Sequence, residues 1–200
     1  MIKFKDILKE DKILVPRNLE SRDEDYKKII YKKIQDYIKK GSKGSLNLEG
    51  APIIKLPDNL IKVGGDLDLG NSQIESLGNL QRVEGYLDLG ETPIQSLGNL
   101  KFVGENLYLF NSKIKSLGNL QKVGENLYLW GSKIQSLGNL QTVGGELDLE
   151  NNSIKSLGNL QKVGGYLYLR NTPFSQKYSK EEFTQILKDK GIEVKGKIII

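Results

Sequence analysis

The side chains of this chain best suited to surface chemistry are aromatic and acidic, and they recur at a fixed spacing. Tyr108 and Tyr128 are 20 residues apart, as are Phe110 and Trp130, and Asp68 and Asp88, while Tyr86 and Tyr166 hold the same place in more distant repeats. Glu146, Asp148 and Glu150 alternate along one short segment, with Tyr168 and Arg170 one period later. Aromatic anchors between carboxylates suit the capture of a partner with a basic surface. They suit catalysis poorly. The chain has no histidine and no cysteine, which removes thiol nucleophiles, the usual zinc ligands, disulfides and the commonest general base. A carboxylate pair for glycoside hydrolysis is conceivable, but a flat strip has no pocket to raise one pKa or exclude water. The acidic spacing is not that of a calcium loop. The expectation is a non-enzymatic binding protein without cofactor or metal.

The elements that position these residues are set by self-similarity. Ser-Leu-Gly-Asn-Leu begins at Ser76, Ser96, Ser116, Ser136 and Ser156. A fixed period of this size means a solenoid. Each unit reads Leu-x-x-Val-x-x-x-Leu-x-Leu-x-x-Ser/Thr-x-Ile-x-x-Leu, as in Leu80, Val83, Leu87, Leu89, Thr92, Ile94 and Leu97.

This pattern resembles the leucine-rich-repeat family, whose Leu-x-x-Leu-x-Leu-x-x-Asn-x-Leu core maps onto Leu100, Val103, Leu107, Leu109, Ser112 and Ile114. The likeness covers roughly residues 45–174. It implies an α/β repeat fold: a parallel β-sheet on a concave face, a short irregular convex side and helical caps at both ends. The family's Asn position holds Ser72, Thr92, Ser112, Ser132 and Thr172, and only Asn152 keeps the amide. A hydroxyl can still bond turn backbone, so the inner ladder should alter while the fold persists. The short unit resembles the compact bacterial type and leaves no room for a convex helix. Turns and extended segments should replace it, eased by Gly78-Asn79 and its copies.

The chain divides into three segments. Residues 1–44 form an amino-terminal helical cap, 45–174 a solenoid of seven repeat strands, and 175–200 a carboxy-terminal cap of one helix and a final strand. Strands are predicted near 45–49, 66–70, 86–90, 106–110, 126–130, 146–150 and 166–170. An eighth runs from Val194 to Ile200, repeating the spacing of Val163 to Leu169. Eight strands at ~4.8 Å make a sheet roughly 34 Å long. Open solenoid ends need caps. Ile29, Ile30, Lys33, Ile34, Tyr37 and Ile38 form a helical stripe between Tyr26 and Lys40, stopped by Gly41. Ser179 to Lys190 should be a second helix carrying Phe183, Ile186 and Leu187, opened by a capping box. A first helix is expected over residues 3–10, separated by Pro16.

Side chains alternate along a strand, so the x positions of x-Leu-x-Leu-x leave the core. The exposed columns are then Asp66, Asp68 and Gly70; Tyr86, Asp88 and Gly90; Asn106, Tyr108 and Phe110; Asn126, Tyr128 and Trp130; Glu146, Asp148 and Glu150; Tyr166, Tyr168 and Arg170. An aromatic centre carries the chain's one tryptophan, with acids on both sides. A cross-strand ladder that merely stabilises the sheet is the plainer alternative, worth roughly 0.2–1 kcal/mol per pair. Trp and Phe side by side in solvent favour an interface instead.

The net charge of +5 suggests nucleic acid until it is divided along the chain. Residues 1–44 carry 13 Lys or Arg against 8 Asp or Glu, whereas residues 45–174 carry 11 against 13. The solenoid body is not a phosphate clamp. Lys27-Lys28, Lys32-Lys33 and Lys39-Lys40 could touch nucleic acid, but such a run usually forms the solvated face of a capping helix. The start of the chain lacks both a secretory apolar core and a membrane span. Near-identical repeats behind a lysine-rich leader also resemble phage or prophage repeat proteins, which implies a bacterial cytoplasm and an inhibitor's role. The functional expectation is a protein-binding adaptor or inhibitor. A glycan-binding strip and a nucleic-acid-binding amino-terminal helix are the alternatives.

Overall fold

The computed structural model describes the backbone of residues 19–200 and side chains from residue 24 onward. The helix expected over residues 3–10 and the break at Pro16 lie outside the described residues. The described chain is a parallel β-solenoid of leucine-rich-repeat-like coils, about 20 residues each, between two helical caps.

The first sheet has eight parallel strands, from Leu46–Asn47 through Leu67–Asp68, Leu87–Asp88, Leu107–Tyr108, Leu127–Tyr128, Leu147–Asp148 and Leu167–Tyr168 to Ile198–Ile199. Leucine pairs with leucine from coil to coil, as Leu87 with Leu107 and Leu107 with Leu127. Each strand is only two residues long, because the chain turns as soon as it has paired. The first coil has 21 residues, since Leu46 pairs with Leu67 while Lys62 pairs with Arg82. Its extra residue falls before the second sheet, in the part of the coil that holds the Pro57-Asp58-Asn59 turn, where Leu60 N–H donates to the Pro57 carbonyl.

The rest of each coil contains no helix, and its extended segments pair with more regularity than an irregular side would need. Seven parallel two-residue strands, from Lys62–Val63 to Lys162–Val163 and then Glu193–Val194, form a second sheet. Isolated bridges such as Ser96 to Ser116 and Ser136 to Ser156 join coils between the two sheets. The corner from the second sheet back to the first is tight in the coils that place glycine there, while Glu84 and Lys195 fill the same position elsewhere. A Cβ on Gly124 would collide with the Gly104 carbonyl oxygen, and one on Gly144 with that of Gly124. The Val-Gly pairs are therefore turn geometry, as their recurrence implies.

Each coil buries one set of apolar side chains: Leu67, Leu69, Ile74, Leu77, Leu80 and Val83 in one, and their equivalents in the others. Full burial of each contributes roughly 1.5–3 kcal/mol, so the stacked sets form a single continuous core. The hydroxyls of Ser72, Thr92, Ser112, Ser132 and Thr172 are buried. Thr92, Ser112 and Thr172 each donate at 2.7 Å to the carbonyl three residues earlier. In these three coils the hydroxyl locks its own turn, whereas Ser72 Oγ accepts the Ile74 N–H and Ser132 Oγ has no hydrogen-bond partner.

Both caps form. Helix α1, Leu19–Lys39, begins before the stripe that starts at Tyr26, and the chain turns out of it at Gly41, whose φ is +84°. Ile30 and Ile34 enter the core from it, and its polar groups close the first coil. Lys33 Nζ donates to the Asn47 carbonyl at 2.7 Å, Tyr37 Oη to that of Gly44 at 2.8 Å, and Gln35 and Asn59 exchange amide hydrogen bonds. At the other end the chain forms α2, Pro173–Lys177, which the sequence pattern does not announce, and α3, Lys180–Asp189. The Ser179 and Glu182 capping box is present, and Phe183 and Leu187 are buried. The hidden strand pairs as its spacing predicts, Val194 with Val163 and Ile198 with Leu167. No described helix is long and apolar enough to cross a membrane.

Candidate functional site

The leucine ladder of the first sheet forces the alternate residues outward in three columns. The middle column runs Asp68, Asp88, Tyr108, Tyr128, Asp148 and Tyr168, one residue per coil and each in register with the next. Tyr108 and Tyr128 stack with ring centroids 5.2 Å apart and planes 7° from parallel. In the neighbouring column Phe110 and Trp130 stack at 5.5 Å and 9°. Tyr86 meets Tyr108 edge to face at 6.3 Å, and Tyr108 meets Phe110 the same way at 6.4 Å. The five rings thus form one connected patch, and Trp130 is 38 % exposed.

Stacking along the solenoid turns the ring faces of each pair toward one another. One face of each stacked ring is thereby closed to a flat sugar ring, while the ring edges can still meet apolar side chains.

The acids stand on either side. Asp68 and Asp88 are half-buried, and each accepts the N–H of a residue two further on, Gly70 at 3.1 Å and Gly90 at 2.8 Å. Asp148 does the same with Glu150 N–H at 2.9 Å. Burial raises the pKa of all three, and neighbouring charges add to it. Glu49 acts on both Asp68 and Asp88, and Glu91 on Asp88. Neither glutamate was legible as a site residue, because each sits in a turn after the strand. Tyr86 is pushed up to about 12 by burial and then by Asp68, Asp66 and Asp88, so its phenol keeps its proton.

In the third column Asp66, Asn106 and Asn126 are committed to structure. Asp66 accepts the Tyr86 N–H, Asn106 that of Asn126, and Asn126 that of Glu146. Gly70 and Gly90 are not open floor, as the sequence columns suggest, but buried beneath the Asp88 carboxylate and the Phe110 ring. Tyr168 Oη lies 3.5 Å from Glu146 Oε1, and Arg170 Nη1 lies 3.7 Å from Glu150 Oε1. The predicted set therefore falls on one face. Tyr86, Tyr108, Phe110, Tyr128 and Trp130 form its centre, Asp68 and Asp88 one flank, and Glu146, Asp148, Glu150, Tyr168 and Arg170 the other.

Cations and anions are treated differently on the two sheets. On the second sheet Lys62 and Arg82 both pair with Glu84, and Lys162 pairs with Glu193 at 3.0 Å. The Arg82 guanidinium also lies 3.7 Å from the centre of the Phe102 ring. Glu84 is held down to about 2 by hydrogen bonds from Arg82 and Lys62. On the first sheet, among the described residues, Asp68, Asp88, Glu146 and Asp148 form no ion pair at all. On α1, Lys27 pairs with Glu24 and Lys28 with Asp25. Among the described residues no group of three or more Asp and Glu side chains is placed to hold a metal ion. The chain matches no family model, no curated protein and no solved structure.

Proposed function

We propose that this solenoid is a non-catalytic binding protein, an adaptor or inhibitor that captures a basic protein surface on the face of the first sheet. The observation that carries this reading is the row Asp68, Asp88 and Asp148, without ion pairs among the described residues, around the half-buried Tyr108, Phe110 and Tyr128 and the exposed Trp130. Lys62, Arg82 and Lys162 of the second sheet are ion-paired, whereas these carboxylates have no ion pair among the described residues and are half-buried and repelled by neighbouring acids. Partner Lys or Arg side chains relieve that repulsion and steer association, while the rings supply the desolvated anchor.

The ring geometry supports a protein partner over a glycan, because the inner ring faces already occupy one another. The ion pairs of Lys27 with Glu24 and Lys28 with Asp25 likewise weigh against a nucleic-acid role for that part of α1.

Immobilised wild type, a Tyr128→Ala, Trp130→Ala variant and an Asp88→Asn, Asp148→Asn variant, each shown folded by circular dichroism, test the reading. In a cell lysate at low salt, wild type alone should retain a protein, and moderate salt should release it. Equal retention by all three removes the interface from this face. Retention of carbohydrate or nucleic acid in place of protein overturns the reading.

A further inference from the structure

We infer that the segment this face accepts is an extended one crossing the coils, with two arginines or lysines four residues apart and one apolar side chain midway. This rests on the proposed function above and gives it a spacing.

Asp88, Tyr108, Tyr128 and Asp148 lie on four successive coils in direct register. Paired strands are ~4.8 Å apart, so the two carboxylates are separated by about 14 Å with the stacked tyrosines between them. An extended chain advances about 3.3–3.4 Å per residue and repeats its side every second residue. Residues i and i+4 then lie about 13–14 Å apart on one side, with i+2 over the Tyr108 and Tyr128 stack. An α-helix brings side chains to one side at i+7 or i+11, about 10.5 or 16.5 Å along its axis, and misses the spacing both ways.

Charge complementarity selects the ends. Asp88 and Asp148 each engage one backbone N–H of their own turn, and neither has an ion pair among the described residues. Their charge is left for a visiting cation. The apolar middle residue meets the edges of Tyr108 and Tyr128 and, in the next column, of Phe110 and the exposed Trp130.

Trp130 is the only tryptophan of the chain, so its emission reports occupancy of this patch alone. The full chain at low salt is titrated with the synthetic peptide Gly-Arg-Ser-Leu-Ser-Arg-Gly, its isomer Gly-Ser-Arg-Leu-Arg-Ser-Gly, and Gly-Arg-Ser-Ser-Ser-Arg-Gly, which lacks the apolar residue. The first should bind about tenfold more tightly than either of the others. It should lose a similar factor against the Asp88→Asn, Asp148→Asn variant. Equal affinity of the two isomers overturns the spacing while the general preference for basic partners stands. If neither these peptides nor poly-arginine alters Trp130 emission or gives a calorimetric signal, both the spacing and the proposed function fall.

Discussion

The Phe110 ring lies over Gly90, so that a Cβ atom at residue 90 would come within 2.5 Å of Phe110 Cζ. Glycine at one coil is therefore the floor on which the aromatic ladder of the next two coils rests. Gly90→Ala should push Phe110 outward and unstack Trp130 while leaving the leucine core intact. The expected signs are a shifted Trp130 emission, an unchanged circular dichroism spectrum and a loss of about 1–2 kcal/mol in affinity for a basic partner, the effect of disturbing a central anchor. An unchanged emission spectrum would mean that the stack does not depend on this contact.

Glu91 holds a left-handed backbone, φ +59°, at the position filled by Asn71, Asn111, Asn151 and Asn171 in other coils and by Gly131 in one. The left-handed region costs a residue with an ordinary side chain roughly 1–2 kcal/mol, and asparagine and glycine tolerate it best. Glu91→Asn should stabilise the protein by about 1 kcal/mol in urea melts. It also removes a negative charge that raises the Asp88 pKa. A destabilised variant would show that the Glu91 carboxylate holds the turn in a way its backbone angle does not reveal.

Asn152 is the one amide at a position that Ser72, Thr92, Ser112, Ser132 and Thr172 fill with hydroxyls. Its Oδ1 accepts the Ile154 N–H at 3.1 Å, but its Nδ2 is buried without a hydrogen-bond partner. A buried unsatisfied donor costs about 1–3 kcal/mol. Thr92 and Thr172 fill the same place and donate to the carbonyl three residues back. Asn152→Thr is thus expected to raise the thermal midpoint. A fall would indicate that the amide volume matters more than its unpaired N–H groups.

Acid and neutral pH should act on the free protein in opposite senses. Asp68, Asp88 and Asp148 have raised pKa values, chiefly through burial, so the folded state binds protons more readily than the unfolded chain does. Stability then falls as pH rises through the interval above the ordinary carboxylate value of ~4. Glu84 is the reverse case, since its lowered pKa gives stability at neutral pH that is lost as pH falls toward about 2. Its exposure keeps that contribution small. Melts between about pH 3 and pH 8 should show a maximum on the mildly acidic side, and Asp88→Asn should raise the midpoint at neutral pH. A variant less stable than wild type at neutral pH would contradict the burial penalty assigned to Asp88.

The solenoid was legible in the chain because its signal is periodic and cooperative. One misplaced leucine in a 20-residue unit would fail to meet its copies, so Leu67, Leu87, Leu107, Leu127, Leu147 and Leu167 can stack in only one register. That register, together with strand alternation, also determines which residues leave the core. Tyr108, Tyr128, Phe110, Trp130 and the flanking acids could therefore be named as neighbours before any coordinates. The Ser179 capping box and the final strand were readable for the same local reasons, hydrogen bonds three residues apart and a repeated spacing.

What only the tertiary structure decided concerns side-chain direction and partners outside the period. The sequence places Gly90 in an open column, but only packing shows Phe110 leaning back to cover it. The solenoid holds similar numbers of cations and acids, but only the fold sends Lys62 and Arg82 to Glu84 and leaves Asp88 and Asp148 without an ion pair among the described residues. Glu49 and Glu91 join the acidic flank because turns fold back beside the strands, and α1 begins earlier because its first turn carries no apolar stripe to announce it. Periodicity encodes backbone register, which many identical contacts enforce together. The state of a surface charge depends on a few long side chains whose reach no repeat encodes.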